Sequence, residues 1–163
     1  MPVPSLWPDI LQKAKAAGLN AISVYTHMGL INPSRDVIDF NDFRALKPLY
    51  EAATEAGLWI VLRPGTYKDT WAILHLLTLE RQGQFVIIPL TLMEAKNDCQ
   101  YINAETTAGG IAHWITTEVA GPLRTNATDF RAAWQQYIQG IIKETAPYQI
   151  TNGGPVIGTV QSE

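Results

Sequence analysis

The sequence predicts an α/β protein built on a parallel sheet, and three observations carry that expectation. Residues 21–25 and 58–62 are short, continuously apolar runs rich in β-formers, and 155–160 adds a third. Between them, longer stretches repeat apolar residues at helical spacing. Strands alternating with amphipathic helices are what parallel βαβ units need, with helices covering both sheet faces. A doubly wound sheet and part of a (β/α)8 barrel both satisfy the pattern. A complete barrel takes about 250 residues, and the chain has 163.

Each element has a local reason. The chain opens on a helical face of Trp7, Ile10, Leu11, Ala14 and Ala17. Ser5 is placed to cap it and Gly18 to end it, Pro8 falls where a first-turn amide has no partner to lose, and Asp9 meets the positive end of the helix dipole. The strand at 21–25 lies between Asn20 and Gly29, and a turn at Asn32-Pro33-Ser34 follows. Phe43, Leu46, Leu49, Tyr50, Ala53 and Ala56 mark a second helical face that Gly57 stops. The strand at 58–62 ends on Arg63-Pro64-Gly65, which sets polar groups at its C-terminal edge. A third helix carries Phe130, Ala133, Trp134, Tyr137, Ile138, Ile141 and Ile142, with Thr128 as its cap and Asp129 in its first turn. Trp7, Trp59, Trp114 and Trp134 fall on apolar faces and are expected in the core.

Residues 66–100 break this rhythm, because a βα loop takes about 2–6 residues. The segment holds two apolar blocks, beginning at Trp71 and Phe85, expected to form an extra helix and strand or to expose an apolar patch.

Composition narrows the function. With 47% hydrophobic and 17% charged residues the chain can bury a core, and one compact domain is expected. Twelve basic and fifteen acidic side chains give a net charge of -3, so a nucleic-acid partner, which needs clustered Lys and Arg, is not expected. Cys99 is the only cysteine, which excludes an internal disulfide and every zinc pattern of paired thiolates. His27, Glu105 and His113 have no known ligand spacing, so neither metal nor cofactor is expected. No apolar run approaches the roughly 18 residues that span a bilayer, and the N-terminus lacks a basic segment followed by an apolar one. The reading is a soluble chain with no signal peptide and no membrane partner.

Several stretches together resemble fungal β-galactosidases of glycoside hydrolase family 35. They are Pro2-Val3-Pro4-Ser5-Leu6-Trp7, Ser23-Val24-Tyr25-Thr26-His27 with Gly29-Leu30-Ile31-Asn32-Pro33, Leu62-Arg63-Pro64-Gly65, and Tyr101-Ile102-Asn103-Ala104-Glu105-Thr106-Thr107-Ala108-Gly109-Gly110. The similarity continues from His113-Trp114 to Asn152-Gly153-Gly154-Pro155-Val156-Ile157. The resemblance implies a (β/α)8 barrel, of which this chain supplies about three βα units, and hydrolysis of terminal β-linked galactose with retention. Retention needs two carboxyl groups about 5 Å apart, one a nucleophile and one an acid and then a base.

The same resemblance implies that Tyr25 contacts galactose and that Asn103, Ala104 and Glu105 bind the sugar hydroxyls. A carboxylate accepts charge-assisted bonds from adjacent hydroxyls, and an amide both donates and accepts. The family's acid/base glutamate follows in an Asn-Glu-Tyr motif. Glu163 matches the acidic position before it, so neither catalytic glutamate is expected within these residues and the chain alone is expected to be inactive. The family also has a strand ahead of Pro2, which implies an internal fragment of a longer, extracellular parent. Asn126-Ala127-Thr128 is an N-glycosylation sequon in keeping with secretion.

Two departures stand out. Met28 replaces a tryptophan usual in the family, which is expected to weaken packing there. The family runs from Arg-Pro-Gly to the Tyr-Ile-Asn-Ala-Glu segment without interruption, whereas here 35 residues separate Gly65 from Tyr101. Residues 66–100 therefore read as a non-family insertion, in origin a translated intron or a gene-model error. Without the resemblance, Asn103 and Glu105 are an exposed loop pair and Tyr25 is a strand-end core residue. A noncatalytic carbohydrate-binding or interaction module, or a fragment with no function, then stay open beside the glycosidase.

Overall fold

The computed structural model describes residues 3–64, 66–67, 100–101, 110–123, 125 and 127–159, with the backbone alone at 66–67 and 100–101. Its strands are β1 (Ala21–Tyr25), β2 (Trp59–Arg63), β3 (Thr66–Tyr67), β4 (Gln100–Tyr101) and β5 (Val156–Thr159). Its α-helices are α1 (Trp7–Ala16), α2 (Met28–Ile31), α3 (Lys47–Ala56), α4 (His113–Glu118) and α5 (Thr128–Thr145). β1, β2 and β5 form one parallel sheet in that order, so the three apolar runs of the sequence are its three strands. Ala21 pairs with Trp59 at one end of the first ladder and Tyr25 with Arg63 at the other. On the far side Ile60 pairs with Val156 and Leu62 with Thr159, across an irregularity after Ile60.

Strand side chains alternate between faces, and burial follows that alternation. Val24, Ile60, Leu62 and Val156 are buried in a single core with Leu11 of α1, Leu49, Tyr50 and Ala53 of α3, and Phe130, Ala133, Trp134, Tyr137 and Ile141 of α5. The opposite face carries Ser23, Tyr25, Trp59, Val61 and Arg63, none of them buried. Helices on both faces, expected from the continuous apolar runs, are therefore not what the described residues show. Among the described residues one face is packed by helices, and the other carries no buried strand residue. Trp59 belongs to the open face at 44% exposure, which corrects its expected place in the core.

Helix ends also differ from expectation. Ser5 does not cap α1, because a 3-10 turn at Pro4–Leu6 feeds directly into the helix and Leu6 holds the cap position without a side-chain bond. Thr128 is the first residue of α5 rather than its cap, and the carboxylate of Asp129 reaches back to accept the Ala120 and Gly121 amides at 3.0 and 2.7 Å. Phe43 leaves the α3 face: it sits in a 3-10 turn at Asp42–Arg44, 38% exposed, and α3 begins at Lys47 with Pro48 in its first turn. Gly57 stops α3 at φ 67°, a left-handed conformation that glycine adopts at little cost. Met28 is fully buried in the core.

The expected extra helix and strand within 66–100 fall mostly outside the described residues. What is described is the pairing of its flanks: Thr66 lies opposite Tyr101, and Tyr67 opposite Gln100, in an antiparallel ladder. The excursion thus leaves and returns at one place, just past the C-terminal end of β2.

Candidate functional site at the strand ends

Two adjacent parallel strands end side by side on the open face. Tyr25 closes β1 and Arg63 closes β2, and the register pairs them. The guanidinium of Arg63 lies over the Tyr25 ring, 4.4 Å from its centroid, a cation–π geometry. The imidazole of His27, two residues on and on the same side of the chain, stacks on that ring at 6.2 Å with 24° between the planes. Partial burial lowers the pKa of His27, which favours the neutral ring at neutral pH. Phenol, guanidinium and imidazole thus gather at one strand end, with the Tyr25 hydroxyl and Arg63 Nε buried within the cluster.

Beneath this cluster the strand ends are fixed from α5. The Tyr137 hydroxyl is 2.6 Å from Thr26 Oγ1, 3.0 Å from the Thr26 carbonyl and 3.2 Å from the Pro64 carbonyl. Thr26 and Tyr137 are fully buried, and burial pushes the Tyr137 phenol well above the usual tyrosine range, so it stays protonated. The Thr26 amide in turn donates to the Arg63 carbonyl at 3.3 Å.

Of the residues singled out in the sequence, Tyr25 is described and lies at this strand end, half-buried. Asn103, Ala104, Glu105 and the sequon residue Asn126 lie outside the described residues, as does Glu163. The described residues nearest to 103–105 on either side are anchored close by. Tyr101 pairs with Thr66, three residues past Arg63. Gly110 and Ile111 return against Gly29, where an added Cβ would touch their carbonyl oxygens at 3.4 and 3.5 Å. Downstream, α4 is tied to the same region: Trp114 Nε1 donates to the Asn32 carbonyl at 2.9 Å, and Arg35 pairs with Glu118 at 2.9 Å while lying over the Trp114 ring.

Sequence reasoning marked Arg63 only as a polar strand end and Tyr137 only as part of a helical face. The signal for Arg63 was its place at a C-terminal strand edge. Tyr137 gave none, since its partners lie 111 and 73 residues away. Among the described residues no three His, Cys, Asp or Glu converge to hold a metal ion, and no helix is long and apolar enough to cross a membrane.

Comparison with known proteins gives a consistent family. The sequence pattern of "Glycosyl hydrolases family 35" matches residues 1–70 and 96–163. A "Probable beta-galactosidase B" of Sclerotinia sclerotiorum is 34% identical over 158 residues, 96% of this chain and 12% of the relative. A "Probable beta-galactosidase C" of Penicillium rubens is 35% identical over 158 residues, 96% of this chain and 13% of the relative. A "Probable beta-galactosidase E" of Aspergillus fumigatus is 37% identical over 159 residues, 96% of this chain and 12% of the relative. The chain thus spans about an eighth of the length of the curated relatives it matches.

Proposed function

Because the chain belongs to glycosyl hydrolase family 35, we propose that its residues form part of the catalytic barrel of a retaining β-galactosidase that removes terminal non-reducing β-D-galactose. They contribute one wall of the galactose subsite. The observation that carries this reading is the half-covered sheet, with helices on one face and Tyr25 and Arg63 at the strand ends of the other. A barrel's strands show helices outward and keep the second face for the interior, and barrel enzymes bind substrate at the C-terminal strand ends. Anchoring of Tyr101 beside the end of β2, and of Gly110 and Ile111 against Gly29, supports bringing Asn103, Ala104 and Glu105 to the same rim as Tyr25.

Residues 1–163 alone bind the sugar without cleaving it, because neither of the two carboxyl groups that retention requires is assigned among them. A crystal soaked in galactose tests the subsite. The ring is expected beside Tyr25 and Glu105, and a ring lodged elsewhere contradicts the assignment.

Residues 66–100 hold a non-family insertion within the catalytic barrel. The family match omits residues 71–95, and the flanks pair directly through Thr66 and Tyr101. A translated intron is the origin we favour. Peptide mass spectrometry of the native protein checks it: peptides from within 66–100 would overturn that origin. The parent acts outside the cell, and Asn126, two residues before Thr128 at the start of α5, is its glycan acceptor. Loss of mass from that peptide on glycosidase treatment is the expected result.

A further inference from the structure

We infer that Tyr137 is a positioning residue for this subsite, an inference that rests on the function proposed above: its hydroxyl pins the C-terminal ends of β1 and β2 together and so sets the Tyr25–Arg63 stack. The hydrogen-bond arithmetic leaves one arrangement. Carbonyls only accept, so the single phenolic proton is shared between the Thr26 carbonyl at 3.0 Å and the Pro64 carbonyl at 3.2 Å. The 2.6 Å contact with Thr26 Oγ1 then has the threonine hydroxyl as donor and the phenol oxygen as acceptor. One hydroxyl from α5 therefore holds the residue after Tyr25 and the residue after Arg63. Both carbonyls belong to residues just beyond the strand ladder, Pro64 has no N–H with which to pair, and both residues are buried away from water. Side chains at a strand end are aimed by the backbone that carries them. A shift between these two chain ends moves the guanidinium relative to the ring it covers.

The fold supplies a matched control. Tyr50 and Thr145 form a second buried phenol–threonine pair, 2.9 Å apart, joining α3 to the last turn of α5 rather than to the residues that follow β1 and β2. Tyr137→Phe and Tyr50→Phe each delete one buried hydroxyl, so a merely structural role predicts the same behaviour for both.

The test uses the full 163-residue chain and nuclear magnetic resonance. In Tyr137→Phe, amide exchange at Thr26 is expected to accelerate about tenfold relative to Trp59, whose amide donates to Asn20 at the opposite end of the same strand pair. The upfield ring-current shift of the Arg63 side-chain protons is expected to collapse. Tyr50→Phe should leave both unchanged. Thr26→Val, which deletes only the donating hydroxyl, should give an intermediate change and serves equally if Tyr137→Phe does not fold. Equal exchange and an intact Arg63 shift in these strand-end variants would overturn the inference, as would identical behaviour of Tyr50→Phe. Galactose added to the same samples separates this from the subsite reading: affinity is expected to fall about tenfold in Tyr137→Phe, and unchanged affinity overturns the positioning role. A wild-type chain that takes up no galactose defeats the subsite alone, while the exchange and shift still decide the role of Tyr137.

Discussion

Tyr25 and Arg63 face each other across the last register position of two parallel strands, with the guanidinium 4.4 Å from the centre of the ring. The contact fixes a flexible cation to a rigid aromatic at the rim of the sheet, so its chemistry and its packing are one feature. Arg63→Gln keeps a polar head and removes the charge. Thermal or urea unfolding should show a loss of about 0.5–2 kcal/mol, the range of a partly desolvated cation–π contact, together with weaker galactose binding. No change in either would show that the contact has no energetic weight.

The buried Tyr50–Thr145 pair predicts a non-additive double-mutant cycle. Tyr50→Phe strands a threonine hydroxyl in the core and should cost about 1–2 kcal/mol, as should Thr145→Val, which strands the phenol. The double variant should cost clearly less than the two together, since it leaves no polar atom unpaired. Urea denaturation of all four proteins measures the coupling, and strict additivity would exclude it.

Two neighbouring glycines are required for different reasons. Gly153 has φ 82° and open space around it, so Gly153→Ala should cost about 1–2 kcal/mol through backbone conformation alone. Gly154 has no room: a Cβ would collide with the Tyr148 carbonyl and its backbone at the entry to β5. Gly154→Ala should cost more than about 4 kcal/mol. Equal midpoints for the two variants in a denaturant series would contradict this ranking.

Asp129 makes a defined contribution to acid stability. Its carboxylate accepts the Gly121, Phe130 and Ala120 amides at 2.7, 2.9 and 3.0 Å, which lowers its pKa below the ordinary 3.8. A carboxyl whose folded pKa is depressed stabilises the fold fully above its unfolded value and loses that contribution as pH falls through the folded one. The urea midpoint should therefore decline from just above pH 3.8 downward, and Asp129→Asn should flatten that acid limb while lowering stability at neutral pH. Parallel acid limbs in the two proteins would refute the assignment.

The strands were legible because each is a short apolar run closed by turn residues, and α5 because its apolar spacing is sustained from Phe130 to Ile141. The open sheet face was not. A continuous apolar run predicts cover on both sides, yet alternation left Trp59 and Val61 on the unburied face. Local capping rules also failed at Ser5 and Thr128: a 3-10 turn leads into α1, and Asp129, the second residue of α5, accepts the Phe130 amide of its first turn. Tyr25 was marked through resemblance, while Arg63, which lies over its ring, and Tyr137, which bonds the residue after it, depend on strand register and on a helix more than 100 residues away, which no local pattern encodes.

A single calorimetric titration bears most directly on the central claim: galactose into the 163-residue chain, wild type beside Tyr25→Phe and Glu105→Gln, with nitrophenyl galactoside turnover followed in the same samples. The account predicts saturable binding by the wild type, weakened about tenfold or more by either substitution, and no turnover in any sample. Binding that ignores both substitutions, or steady hydrolysis by the wild-type chain, would contradict it.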